Sequence, residues 1–177
     1  MSAVREIVVP EASQPRVEDL TVPPGPWLYI ATTCSNRTST IASEVKQAAQ
    51  TLDEFMQGWG IAPRGPLLVA YSEWDGRLVE LECGYTVKAA DATKAQGRIL
   101  AGHAPSGRAL HMVHHGPYAT ISDSYRALHA IAATRGLRLS GHRWEVFRSP
   151  PSAGDAETEL YLQLVGDPAA EPPGMAP

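Results

Sequence analysis

Trp144-Glu145-Val146-Phe147 is the run whose residue types could do chemistry most directly. It lies between the turn residues Gly141 and Ser149-Pro150-Pro151 and reads as a strand, in which successive side chains point to opposite faces. Glu145 and Phe147 then share one face, and Trp144 and Val146 the other. A carboxylate beside an aromatic ring suits a cationic or a flat, hydrogen-bonding ligand. From this strand alone, a solvated carboxylate on an open sheet face is the plainer reading. Two more carboxylates, Glu80 and Glu82, recur on the run Leu78–Val87, opposite the apolar side of Val79, Leu81, Cys83, Tyr85 and Val87. A wet outer face explains Glu80 well. His103, His111, His114 and His115 cluster in sequence, but no carboxylate or cysteine completes a local ligand set, so neither a metal nor a cofactor is expected. His114 is better placed to fix a turn into a following helix.

Positioning such groups requires elements around them. Ile41, Val45, Ala48, Ala49, Leu52, Phe55, Met56 and Trp59 recur on one helical face, which predicts a helix over 40–58 with Thr38, Ser39 or Thr40 as its cap and Gly58 or Gly60 at its end. Ile121, Tyr125, Leu128 and Ile131 predict a second helix, stopped at Gly136. Strands are expected at 27–31, with Leu28 and Ile30 opposite Trp27 and Tyr29; at 67–73, with Tyr71; at 78–87; near 98–101; at 108–115; at 143–148; and at 159–165, with Leu160, Leu162 and Leu164 opposite Glu159, Tyr161 and Gln163. Trp74-Asp75-Gly76 supplies a hairpin turn. Residues 1–21 read as an irregular lead-in with a short extended piece at Ile7-Val8-Val9, followed by Pro23, Pro24 and Pro26, which hold the chain extended. Residues 166–177 read as a disordered tail.

Composition narrows the function classes. The 177 residues are 44% hydrophobic, enough for a packed core, and carry a net charge of −4 with a pI of about 5.8. No Lys/Arg cluster suggests direct nucleic-acid binding, and no apolar run reaches membrane-spanning length. Cys34 and Cys83, far apart, form no disulfide framework and suit a reducing cytoplasm as buried thiols.

The order strand, helix, strand, strand occurs twice, and seven positions separate both Gly60 from Leu67 and Gly136 from Arg143. The expected fold is therefore α+β: two pseudo-symmetric strand-helix-strand-strand repeats, 22–88 and 107–165, joined by a connector at 89–106. Their antiparallel sheet would carry both helices on one face and a concave ligand groove on the other. Tyr29, Glu82, Glu145, Phe147 and Tyr161 are expected to project into that groove, an aromatic and acidic composition suited to a small molecule.

His114-His115-Gly116-Pro117-Tyr118 resembles the His-x-Gly-Pro-Tyr signature of GyrI-like small-molecule-binding domains, the effector domains of multidrug-responsive bacterial regulators such as BmrR and Rob. Trp144-Glu145-Val146-Phe147 resembles that family's Trp-Glu-x-Tyr strand, with Phe147 in place of the usual tyrosine. Glu157-Thr158-Glu159-Leu160-Tyr161 resembles its closing strand, and Gly65-Pro66 and Leu81-Glu82-Cys83-Gly84 resemble segments of its first half. The similarity spans residues 22–165 and implies a standalone member with the fold just described. It further implies that Glu145 is the pocket glutamate, which meets aromatic, cationic or hydrophobic drugs, toxins or metabolites. Tyr118, Phe147, Tyr161, Glu82, Tyr29, Trp27 and Tyr71 would complete the ligand-binding set. Two alternatives come with the resemblance. One is a cofactor-free hydrolase of cyclopropane-bearing DNA-alkylating natural products, with Glu145 as general base and Tyr118 as hydrogen-bonding acid. The other is a protein-interaction module that modulates DNA gyrase. On any of these readings the chain is expected to be a monomer or a homodimer.

Overall fold

The computed structural model describes residues 16–73, 76–149 and 156–166. Two long helices, α1 (Thr38–Trp59) and α3 (Ile121–Thr134), are built from the two periodic stretches. Each ends in the same way. The left-handed residue is a glycine, Gly60 or Gly136, both at φ 64°. The glycine N–H bonds back to Gln57 or Ala133, and the N–H of the next residue, Ile61 or Leu137, reaches Met56 or Ala132. A side chain with a Cβ resists this conformation, so glycine fixes the stop, while the apolar residue after it returns to the core. The start of α1 differs from expectation. Helix α1 begins at Thr38 behind Arg37, and no side chain caps it, so the Thr38-Ser39-Thr40 cluster lies inside the first turn. The connector also holds a one-turn helix, α2 (Ala89–Ala92), which its sequence pattern does not announce.

Eight strands form one antiparallel sheet: β1 (Val17–Val22), β2 (Pro26–Ser35), β3 (Leu67–Glu73), β4 (Leu78–Thr86), β5 (Leu100–His103), β6 (Gly107–His115), β7 (Leu139–Phe147) and β8 (Glu157–Leu164), in the spatial order β1-β6-β8-β7-β3-β4-β2-β5. The expected irregular lead-in is corrected at residues 17–22, which pair with β6 as an edge strand; the extended piece at 7–9, the turn residues Trp74 and Asp75, and most of the expected tail lie outside the described residues. The halves β2-β4-β3 and β6-β8-β7 meet where β3 pairs with β7, with Val69 opposite Glu145. Val69 and Glu145 are 76 positions apart, as are Gly60 and Gly136. The pseudo-twofold axis therefore passes between Val69 and Glu145.

Two short links show that the sheet is curled. Residues 104–106 join β5 to β6, and 23–25 join β1 to β2, yet each pair sits six strands apart in the sheet. A flat sheet would separate them by about 29 Å, whereas four Cα steps reach only about 15 Å. The edges must approach each other, and the two links are hydrogen-bonded, Ala104 N to Gly25 O at 2.9 Å. The face inside the curl carries Trp27, Leu68, Ala109 and Trp144, with Tyr29, Ala70, Val146 and Tyr161 against them. Trp27 stacks on Tyr29 at 4.6 Å and Trp144 on Tyr161 at 5.0 Å. Outside the curl, α1 covers Leu28, Ile30, Val69, Leu81 and Cys83 through Ala48, Leu52 and Met56. Helix α3 covers Leu110, Met112, Leu160 and Leu162 through Leu128 and Ala132. No helix among the described residues is long and apolar enough to cross a membrane.

Candidate functional site

Directly opposed residues of an antiparallel pair share a face. Glu145 stands opposite Val69 and Leu160, both of which lie under the helices. The sequence-based expectation therefore needs a correction: Glu145 and Phe147 point to the helix side, while Trp27, Tyr29, Glu82 and Tyr161 occupy the concave side. The expected residues form two groups rather than one.

The first group surrounds Glu145, which is 2% exposed. Tyr71 and Tyr118 both donate to its Oε2 at 2.8 Å, and Tyr125 donates to Oε1 at 2.8 Å. The Tyr71 and Tyr118 hydroxyls are themselves 3.2 Å apart. Each tyrosine comes from a different element: β3, the single helical turn at Tyr118–Thr120, and α3. The turn is set by His114, whose Nδ1 lies 2.9 Å from Ser124 Oγ and whose Nε2 lies 3.3 Å from Pro117 O. The imidazole thus ties β6 to α3 and presents Tyr118. Phe147 packs its ring 5.9 Å from that of Tyr118. Arg143 lies over the Tyr71 and Tyr125 rings, at 5.0 and 5.4 Å. Burial pushes the Glu145 carboxyl above its ordinary range; the three tyrosyl hydrogen bonds, and then the Arg143 charge, pull it back in part. All three tyrosines are driven upward, chiefly by burial and then by the Glu145 charge, and stay protonated donors.

The second group lines the inside of the curl. A cavity of about 320 Å³ opens there, bordered by Glu80 and Glu82 of β4, Ser72 of β3, His142 and Trp144 of β7, and His103 beside the β5–β6 link. Tyr71 and Arg143 also border it, so the cavity adjoins the Glu145 group through two shared residues. Burial and then Glu80 raise the Glu82 carboxyl, while His142 lowers it. Ala70, opposite Glu82, and Val146, opposite Glu159, are also 76 positions apart, so Glu82 and Glu159 are pseudo-symmetric. Glu159 is already engaged, accepting from Arg148 Nε at 2.7 Å and from the Tyr161 hydroxyl at 3.0 Å. The histidines diverge: the His111 ring lies tilted against that of Tyr161 at 4.7 Å, and His115 approaches Glu157 at the surface.

Tyr125, Arg143 and Trp144 are candidate site residues that sequence reasoning does not select. The helical period makes Tyr125 a core position of the second helix; its hydroxyl, which needs a partner when buried, is the available signal. Arg143, two residues before Glu145, has to share its face.

No protein-family model matches the sequence, and no curated protein matches it. Solved structures do match in fold. The C-terminal domain of EcmrR superposes with a TM-score of 0.69 at 15% identity, over 86% of this chain and 98% of that domain. The fold is the GyrI-like one. A hydrolase from Listeria innocua aligns over 86% of this chain and 94% of its own length, at 18% identity and a TM-score of 0.56. SAV2435 bound to tetraphenylphosphonium aligns over 86% and 94%, at 12% identity and a TM-score of 0.54. The chain spans 57% of EcmrR as seen in its DNA complex. The GyrI-like resemblance noted in the sequence thus holds for the α+β fold and its sheet of paired repeats.

Proposed function

We propose that this chain binds small aromatic molecules, cationic or hydrophobic, in the concave cavity adjoining the Glu145–tyrosine group, and so senses, sequesters or detoxifies them. The observation that carries the reading is the cavity of about 320 Å³ bordered by Trp144, Glu82, Tyr71 and Arg143. Its size falls in the usual range for small-molecule sites, and an aromatic wall with a few polar groups is their usual lining. Glu145 supports it from behind by fixing the hydroxyl ends of Tyr71, Tyr118 and Tyr125. That SAV2435, of the same fold, is seen with tetraphenylphosphonium agrees with this reading.

The test is a fluorescence titration with Nile red, a flat uncharged dye. Saturable one-site binding is expected in the wild type, and Ser72→Trp, which places an indole in the cavity, is expected to abolish it. Binding that does not saturate, or that survives Ser72→Trp unchanged, contradicts the proposal.

One contact favours a second reading, hydrolysis of a cyclopropane-bearing alkylator. The Tyr118 hydroxyl lies on Glu145 Oε2 at 2.8 Å, so an acid and a base are adjacent. Turnover of such a compound, lost in Glu145→Gln, would select hydrolysis; binding without turnover selects the binder.

A further inference from the structure

A buried carboxylate walled by aromatic faces is the arrangement that holds a ligand's positive charge. Around Glu145 that arrangement already holds a cation of the protein's own. Arg143 shares the face of Glu145 on β7. Its guanidinium sits 5.0 Å from the centre of the Tyr71 ring and 5.4 Å from that of Tyr125, and these two rings donate their hydroxyls to opposite oxygens of Glu145. Arg143 also borders the cavity. A ligand in the cavity therefore meets the guanidinium before it meets the acid. The carboxylates that border the cavity are Glu80 and Glu82 of β4, with the imidazoles of His103 and His142 around them.

We propose that Arg143 is the resident cation of the Glu145 site, so that Glu145 does not select ligands by charge and a cationic ligand is recognised by Glu82 instead. The proposal rests on the aromatic-binding reading above. It assigns the two acids different tasks. Glu145 orders the tyrosines and is neutralised from within, and Glu82 supplies the negative charge that the cavity presents. The Arg143 charge acts on three members of the group, opposing the rise of the Glu145 carboxyl and of the Tyr118 and Tyr125 hydroxyls.

The experiment compares Nile red with Nile blue, which has the same ring system but carries a cationic iminium. The readout is the ratio of their affinities in the wild type and in Glu145→Gln, Glu82→Gln, Arg143→Met and the Arg143→Met/Glu145→Gln pair. Glu145→Gln is expected to weaken both dyes alike and leave the ratio within about twofold. Glu82→Gln is expected to lower the Nile blue to Nile red ratio about tenfold. Arg143→Met is expected to raise that ratio about tenfold by uncovering Glu145, and adding Glu145→Gln should cancel the gain. A ratio that falls tenfold in Glu145→Gln and stays put in Glu82→Gln overturns the assignment, as does a folded Arg143→Met with an unchanged ratio. Should Arg143→Met not fold, the comparison of Glu145→Gln with Glu82→Gln decides alone. Failure of the wild type to bind either dye removes the cavity reading itself, a different result from an unexpected ratio.

Discussion

Tyr125→Phe probes how Glu145 is held in the core. Among the three tyrosines, Tyr125 alone reaches Oε1, whereas Tyr71 and Tyr118 share Oε2. Removing the Tyr125 hydroxyl takes the tyrosyl donor from one oxygen of a fully buried carboxylate; removing the Tyr118 hydroxyl leaves Tyr71 in place. A hydrogen bond to a charged group contributes about 1.5–3 kcal/mol, against about 0.5–1.5 for an ordinary one. Both bonds are to the carboxylate, so Tyr125→Phe should cost about 3 kcal/mol, the upper end of that charged range, and Tyr118→Phe, whose oxygen keeps Tyr71, about 1.5 kcal/mol, its lower end. For a chain of this size the larger loss lowers Tm by about 6–12 °C. Urea unfolding followed by circular dichroism at pH 7.5 measures both. The Tyr125→Phe deficit should shrink as the pH falls and Glu145 takes up its proton, and it should drop to the ordinary range in a Glu145→Gln background. Equal costs for the two tyrosines, or a Tyr125→Phe deficit unchanged by both acid and Glu145→Gln, would refute the reasoning.

Glu145 itself predicts a pH dependence. Burial raises its folded-state pKa above the ordinary 4.5. Its contribution to stability is then complete below that ordinary value and is lost as the pH rises through the folded pKa. The stability of Glu145→Gln relative to wild type should rise with pH across that window, with a slope of about 1.4 kcal/mol per pH unit, as read by urea unfolding across a pH series. Gly84→Ala should prevent or severely weaken folding, because a Cβ there would overlap the Leu28 carbonyl oxygen and the Trp27 indole nitrogen; soluble yield and Tm report it. Gly60→Ala and Gly136→Ala should each cost about 1 kcal/mol, equally within error, because both residues sit at φ 64° with nothing near the added methyl. Paired chemical denaturation curves would show the match.

The repeat is legible because its punctuation is local. Two helical periods each closed by a glycine, and two acid-bearing strands after them, show the duplication without any tertiary information. The short edge strand β1 is not legible, since its pairing with β6 comes from the far side of the chain and Pro10 and Pro15 obscure the start. Glu145 stands out as a candidate from the motifs around it, but its side of the sheet is not legible. Strand β7 lies in the middle of the sheet and is buried on both faces, Trp144 inside the curl and Glu145 beneath the helices. Such a strand loses the apolar and polar alternation that assigns faces. The pairing of Glu145 with Val69 settles it, and that pairing depends on how the halves join. Trp144 looks like ordinary core for the same reason. Tyr71 and Tyr118 can be picked out of the sequence as candidates, but their convergence on one carboxylate oxygen is a property of the fold.

The most direct measurement is a crystal structure of the wild-type protein soaked with Nile blue. The dye is expected in the concave cavity, its rings along Trp144 and its iminium toward Glu82, with Arg143 still over Tyr71 and Tyr125. Dye inserted beneath the helices with its charge on Glu145 and Arg143 expelled, or dye held only on the outer surface, would contradict it.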